Sequence, residues 1–124
     1  MSDFPKRSLY SVYLMGAGLA TVLFAVHTFI LFETAHAIFR LAEPFRETLG
    51  LRVAGPLLVL GCFLMWFVTH LLEAVVWAVF FWRKRLVRSF AEGLYFTGTS
   101  LTALGYGDVV LTPPWRGLGP IMAT

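Results

Sequence analysis

Two long apolar runs separated by a short polar stretch frame this chain, and a third, shorter apolar stretch follows them. After a polar start at Met1–Arg7, the first run extends from Leu9 to Phe32 with His27 as its one imidazole. It is longer than the roughly 7 to 15 residues of a signal-peptide core and meets the roughly 20 that a bilayer requires, so it predicts a transmembrane helix. The helix core is expected over Val12 to Phe32, continuing through Glu33 and His36 toward Arg40. From Leu41 to Arg52 the pattern changes to Glu43, Pro44, Arg46, Glu47, Gly50 and Arg52, a composition that predicts a loop or interfacial turn closing a helical hairpin near Glu47. The second run, Val53 to Trp82, is longer than a perpendicular crossing needs and predicts a tilted or projecting span. Trp77 and Trp82 suit its far interface, and Arg83, Lys84, Arg85 and Arg88 end it abruptly.

Beyond this basic group, Ser89 and Glu92 have the spacing of a capping box, so a new helix is predicted from Phe90 to about Leu101. About 12 residues make roughly 18 Å of helix, too short for a hydrocarbon core of about 30 Å. The segment is therefore expected to be re-entrant, which requires neighbouring protein or a water-filled cavity at its ends. Its negative C-terminal end then favours a cation. Thr99–Asp108, TSLTALGYGD, follows directly, and Pro113 and Pro114 exclude continuous helix after it. Trp115 and Arg116 form an interfacial pair, and Gly117 to Thr124 amount to roughly 12 Å of helix, the expected opening of an inner helix that is cut short.

Composition narrows the class. At 58% hydrophobic and 14% charged residues, the chain exceeds the roughly 45 to 50% apolar content of soluble domains, so it reads as an all-α membrane protein. A chain of 124 residues cannot enclose an ion pathway without copies of itself or a partner. Its ten Lys and Arg flank the apolar runs and act as interfacial anchors, which gives no nucleic-acid patch. The single cysteine, Cys62, permits no intrachain disulfide. No Ser-His-Asp arrangement, phosphate loop or cysteine cluster supports an enzyme. Gly16, Gly18 and Ala20 make a small-residue face on the first helix, a common membrane pattern.

The candidate chemistry lies in the Gly105-Tyr106-Gly107-Asp108 stretch. Two glycines around a tyrosine permit backbone conformations in which successive carbonyl oxygens share one side, and stacked rings of such oxygens replace the hydration shell of potassium. By itself the tetrapeptide is also compatible with an ordinary glycine-rich loop. The capped, aromatic, short helix before it and the basic-flanked span favour a pore loop.

Over Ser89 to Arg116 the sequence resembles the pore loop of two-transmembrane potassium channels, in small bacterial forms with one extra N-terminal span. The resemblance implies an N-terminal helix and connecting loop at residues 1–52 and a pore domain at 53–124. That domain divides into an outer helix at 53–82, a pore helix at 90–101, a filter at 102–108 and the start of an inner helix at 117–124. It implies ion binding at Thr102, Ala103, Leu104, Gly105, Tyr106, Gly107 and Asp108, with filter support from Tyr95, Phe96 and Thr99. It implies potassium as the permeant ion, no cofactor, and a homotetramer in the lipid of the cell membrane, multi-pass. Ala103 stands where the family has its second filter threonine, which removes a ring of hydroxyls, and Leu104 replaces a valine. Phe96 offers no indole N–H to Asp108, and Thr99 replaces a glutamate of some members, so reduced polar support is expected. The alternative reading is a non-conducting accessory or interaction protein with a degenerate pore loop. The missing remainder of the inner helix implies a fragment of a longer product or a completing partner.

Ionisable groups at membrane depth are costly and mark functional candidates. Pairing about Glu47 sets His27 level with Val68 and near His70, so His27, His70 and Glu73 are expected to form an intramembrane polar cluster. Glu33 and His36, with His70 and Glu73, also have the spacing of a di-metal carboxylate site. Their offset of roughly 12 to 15 Å along the axis opposes that reading, and no metal beyond potassium is expected. Histidines titrating near neutral pH also suit proton sensing. With the filter facing outward as the resemblance requires, seven Lys and Arg lie outside against Arg40, Arg46 and Arg52 inside, the reverse of the positive-inside bias.

Overall fold

A computed structural model describes residues 6–123, with side chains from residue 9 onward. Met1–Pro5 of the polar start and Thr124 of the expected inner-helix opening lie outside the described residues. In order come α1 (Lys6–Leu49), α2 (Leu51–Arg83), α3 (Phe90–Leu101), a 3-10 turn (Trp115–Gly117) and α4 (Leu118–Met122), with no strand among the described residues. This is the all-α membrane fold that the hydropathy pattern predicts. Both α1 and α2 are long and apolar enough to cross a membrane. Their 44 and 33 residues give lengths of about 66 and 50 Å, so each extends past the roughly 30 Å hydrocarbon core. Phe24 and Phe29 on α1 and Val59 and Leu72 on α2 are largely exposed, outward apolar surface that suits lipid rather than water.

The contacts divide the chain into two parts. One contains residues 24–71, and here the expected loop over Leu41–Arg52 is corrected. α1 runs on through Pro44 to Leu49, and the reversal falls on Gly50, whose φ of +74° is one that glycine adopts readily. Gly50 N–H donates to Arg46 O at 3.0 Å, and Gly50 O accepts from Ala54 N–H at 3.0 Å, so one residue closes both helices. The reason is that polar composition marks an exit from hydrocarbon, not the end of a helix. Glu43, Arg46 and Glu47 are good helix formers in water, Arg46 pairs with Glu43 at 3.0 Å, and Thr48 Oγ1 donates to Pro44 O at 2.7 Å.

The other part contains the residues up to Leu23 and those from Leu72 onward. Its core is Trp77 and Phe81 of α2, Phe96 of α3, Leu111, Trp115, and Leu118 and Met122 of α4. α2 ends in a Schellman motif, with Arg85 N–H donating to Trp82 O and Leu86 N–H to Phe81 O, each at 2.9 Å. Arg85 takes the left-handed conformation there, φ +56°, a place usually given to glycine. Four residues on, Ser89 caps α3 by accepting from Glu92 N–H at 3.1 Å. The Glu92 carboxylate accepts from Arg88 N–H, one residue before the position a reciprocal capping box uses.

α3 folds back beside the last turns of α2. At Gly93 a Cβ would lie 3.0 Å from Ala78 O, so the two helices touch through backbone. Three residues later Phe96 meets Phe81 edge to face, with ring centroids 5.4 Å apart, a geometry favoured by aromatic quadrupoles.

Candidate ion-pathway site

The end of α3 and the loop that follows hold the sequence-predicted site. Thr102 closes the helix, its N–H donating to Gly98 O at 3.1 Å and its hydroxyl to the same carbonyl at 2.7 Å. From there the backbone enters the left-handed region at every second residue: φ is +57° at Ala103, +48° at Gly105 and +76° at Gly107. Among the described residues nothing crowds the two glycines, so backbone conformation is what calls for them. Ala103 reaches the same region with a Cβ, which costs about 1 to 2 kcal/mol. Leu104 and Tyr106 between them are 59% and 68% exposed in the single chain.

Three groups were expected to support this loop, and each has a different role. The Tyr95 hydroxyl donates to Asp108 Oδ2 at 2.7 Å. Asp108 therefore does receive a side-chain donor, which corrects the expectation drawn from the missing indole at Phe96. This bond, chiefly, holds the Asp108 carboxyl below its ordinary range, aided by the Val109 N–H on Oδ1 at 3.0 Å. The same bond pushes the Tyr95 phenol up. The Thr99 hydroxyl is spent on Tyr95 O and Phe96 O of its own helix. Thr99 instead reaches the loop through its carbonyl, which accepts from Gly105 N–H at 2.9 Å. Phe96 is buried on Phe81 and anchors α3 to α2.

After Asp108 the return segment is fastened at several points. Leu111 is buried, and its carbonyl accepts from Arg116 Nε at 3.3 Å. Trp115 N–H donates to Thr112 O at 2.8 Å. Tyr13 of α1, a residue the sequence does not single out, donates to Pro114 O at 2.6 Å.

In the part formed by residues 24–71, the His27 and His70 rings lie 5.0 Å apart. Trp66 is their unforeseen neighbour: its Nε1–H donates to His27 Nε2 at 3.3 Å, and its ring lies 5.2 Å from His70. The one-turn spacing of Trp66 and His70 on α2 is the signal that would have found it. Glu73 follows His70 by one further turn of α2, in the part that carries the loop. Beside His27, an apolar cavity of about 370 Å³ is bordered by Ile30, Thr34, Cys62, Phe63 and Trp66. The Thr34 hydroxyl is turned onto Ile30 O of its own helix.

A short capped helix folded against an apolar span, and ending in a loop of alternating left-handed residues, is the arrangement of a pore loop. The family model described as "Ion channel" matches residues 57–124, more than half of the chain. This chain belongs to that ion channel family. The channel is thus a two-transmembrane pore-family protein of the membrane, and channels of this family generally oligomerise in lipid and are typically not enzymes. No curated protein and no solved structure matches it. α1, the Gly50 turn and the first residues of the channel's α2 precede the matched region.

Proposed function

We propose that the chain is a potassium-channel pore subunit that assembles as a homotetramer and passes potassium passively through the carbonyls of Thr102 to Tyr106. The observation that carries this reading is the left-handed backbone at Ala103, Gly105 and Gly107. In an ordinary strand successive peptide units face opposite sides. Reversing the backbone at every second residue brings their carbonyls toward a common side, and four copies around an axis then form oxygen rings able to replace the water around potassium. The exposed Leu104 and Tyr106 side chains are surface that neighbouring copies would cover, and the C-terminal end of α3 adds a favourable field for a cation.

Ala103 supplies no hydroxyl to the ring nearest α3, so that ring binds through carbonyls alone and holds potassium less strongly. The test is potassium flux into proteoliposomes carrying the protein, with sodium as competitor. Selective potassium flux that collapses in Gly105→Ala is the expected result. Absence of flux, with a stable complex to another membrane protein, would replace this reading with the accessory one.

A further inference from the structure

The helix that precedes the family match is fitted to the segment that leaves the filter. Tyr13 and Gly16 are one turn apart on α1, and neither belongs to the matched residues 57–124. The Tyr13 hydroxyl donates to Pro114 O at 2.6 Å, and the Tyr13 ring stacks on Trp115 with centroids 6.4 Å apart and planes at 29°. At Gly117 a Cβ would lie 2.7 Å from Tyr13 Oη and 3.0 Å from Cε1, so that glycine leaves room for the phenol. At Gly16 a Cβ would lie 2.7 Å from Leu118 Cδ2, and Leu118 itself is 0% exposed. Three interactions, at Pro114, Trp115 and Gly117, thus converge on one side chain, and Leu118 sits against the following turn of α1.

We infer that Tyr13 is a positioning residue for the far end of the filter, through which α1 tunes ion selectivity. The route is short. Tyr13 fixes Pro114 and Trp115; Arg116 ties the same turn to Leu111 O; Leu111 is anchored in the core only three residues after Asp108. Asp108 is in turn held by Tyr95. Loss of the Tyr13 hydroxyl leaves Pro114 O without this donor in a partly buried position, and the return segment gains freedom that reaches the filter from the side opposite α3. A residue that merely filled space would be replaced by phenylalanine without consequence, whereas a hydroxyl that positions the segment would not.

This inference rests on the conducting reading, and its test separates the two. Tyr13→Phe keeps the ring and removes only the hydroxyl. In the reconstituted full chain, hydrogen–deuterium exchange over residues 104–118 is measured beside residues 57–76 of α2 as an internal reference, and the potassium-to-sodium flux ratio is taken on the same vesicles. The expected result is an exchange rate raised about two- to tenfold over residues 109–118, the span one hydrogen bond commands, with α2 unchanged and a lowered flux ratio. Gly117→Ala crowds the same contact from the other side and is expected to act alike, with the double variant showing less than the sum because both act on one interaction. A conducting wild type whose exchange over 109–118 or flux ratio is untouched by Tyr13→Phe overturns the inference alone. A wild type that passes no potassium overturns the conducting reading, and this inference with it.

Discussion

The Tyr95 hydroxyl and the Asp108 carboxylate, thirteen residues apart in the chain, meet at 2.7 Å and tie α3 to the end of the loop that follows it. The bond favours the ionised acid and holds the Asp108 pKa down. With a folded-state pKa below the unfolded one, the contact contributes stability at pH values above the ordinary carboxylate range and loses it as the pH falls through the lowered value. A carbon-detected NMR titration of Asp108 in micelles is expected to give a midpoint below that of an exposed aspartate. In Tyr95→Phe the midpoint returns toward the ordinary range. Equal midpoints in the two proteins would mean that the hydroxyl does not support the loop.

Ala103 is the non-glycine residue with a left-handed backbone in the loop after α3. Thr at this position would restore the hydroxyl of the potassium-channel pattern, yet a β-branched side chain tolerates positive φ poorly. Ala103→Thr is expected to lower stability by about 1 kcal/mol or more, while Ala103→Gly is neutral or stabilising by up to about 1 kcal/mol. Thermal unfolding of the purified protein in one detergent ranks the three. A threonine variant as stable as the wild type would show that the loop changes conformation to accept it.

The turn after α2 offers a gain in stability without touching the loop after α3. Arg85 sits at the left-handed position of a Schellman motif, with φ of +56°. Replacing it by glycine removes the Cβ clash that costs an L-residue about 1 to 2 kcal/mol there, offset by roughly 0.5 to 1 kcal/mol of added freedom in the unfolded chain. Arg85→Gly is therefore expected to unfold no earlier than the wild type, whereas Arg85→Val, β-branched, unfolds earlier. Denaturant midpoints of the two variants decide it.

Gly93 is where α3 rests on the backbone of α2. A Cβ would stand 3.0 Å from Ala78 O and 3.3 Å from Val87 Cγ2, and a backbone oxygen cannot swing away as a side chain can. Gly93→Val is expected to cost about 1 to 3 kcal/mol as overpacking and to shift α3 outward. A disulfide-trapping rate between cysteines placed on α2 and α3 reports that shift directly, and an unchanged rate would refute it.

The parts of this fold that follow from local hydrogen bonding are the parts legible in the residues. Ser89 and Glu92 announce the start of α3, and the observed helix begins at Phe90. The length of the apolar runs likewise gives both long helices. The end of α1 was not legible, because Pro44 and four charged residues look like a loop when read as composition, while a helix leaving hydrocarbon meets water with the same residues. Gly50, with its positive φ, was the true signal. Tyr95 stands among the expected supporting residues, but its type alone does not say that its hydroxyl takes the place of an indole N–H at Asp108. Tyr13 and Pro114 are 101 residues apart, and no periodicity in either segment announces such a contact. The His27 and His70 rings lie 5.0 Å apart, and Trp66 joins them through a hydrogen bond to His27 that only its one-turn spacing from His70 signals.

The passage from α2 to α3 is closed at both ends by its own hydrogen bonds, the Schellman pair at Arg85 and Leu86 and the Ser89 cap. A turn beyond it, Gly93 brings the two helices into backbone contact. The last turns of α2 and the first turn of α3 therefore form a braced corner rather than a hinge.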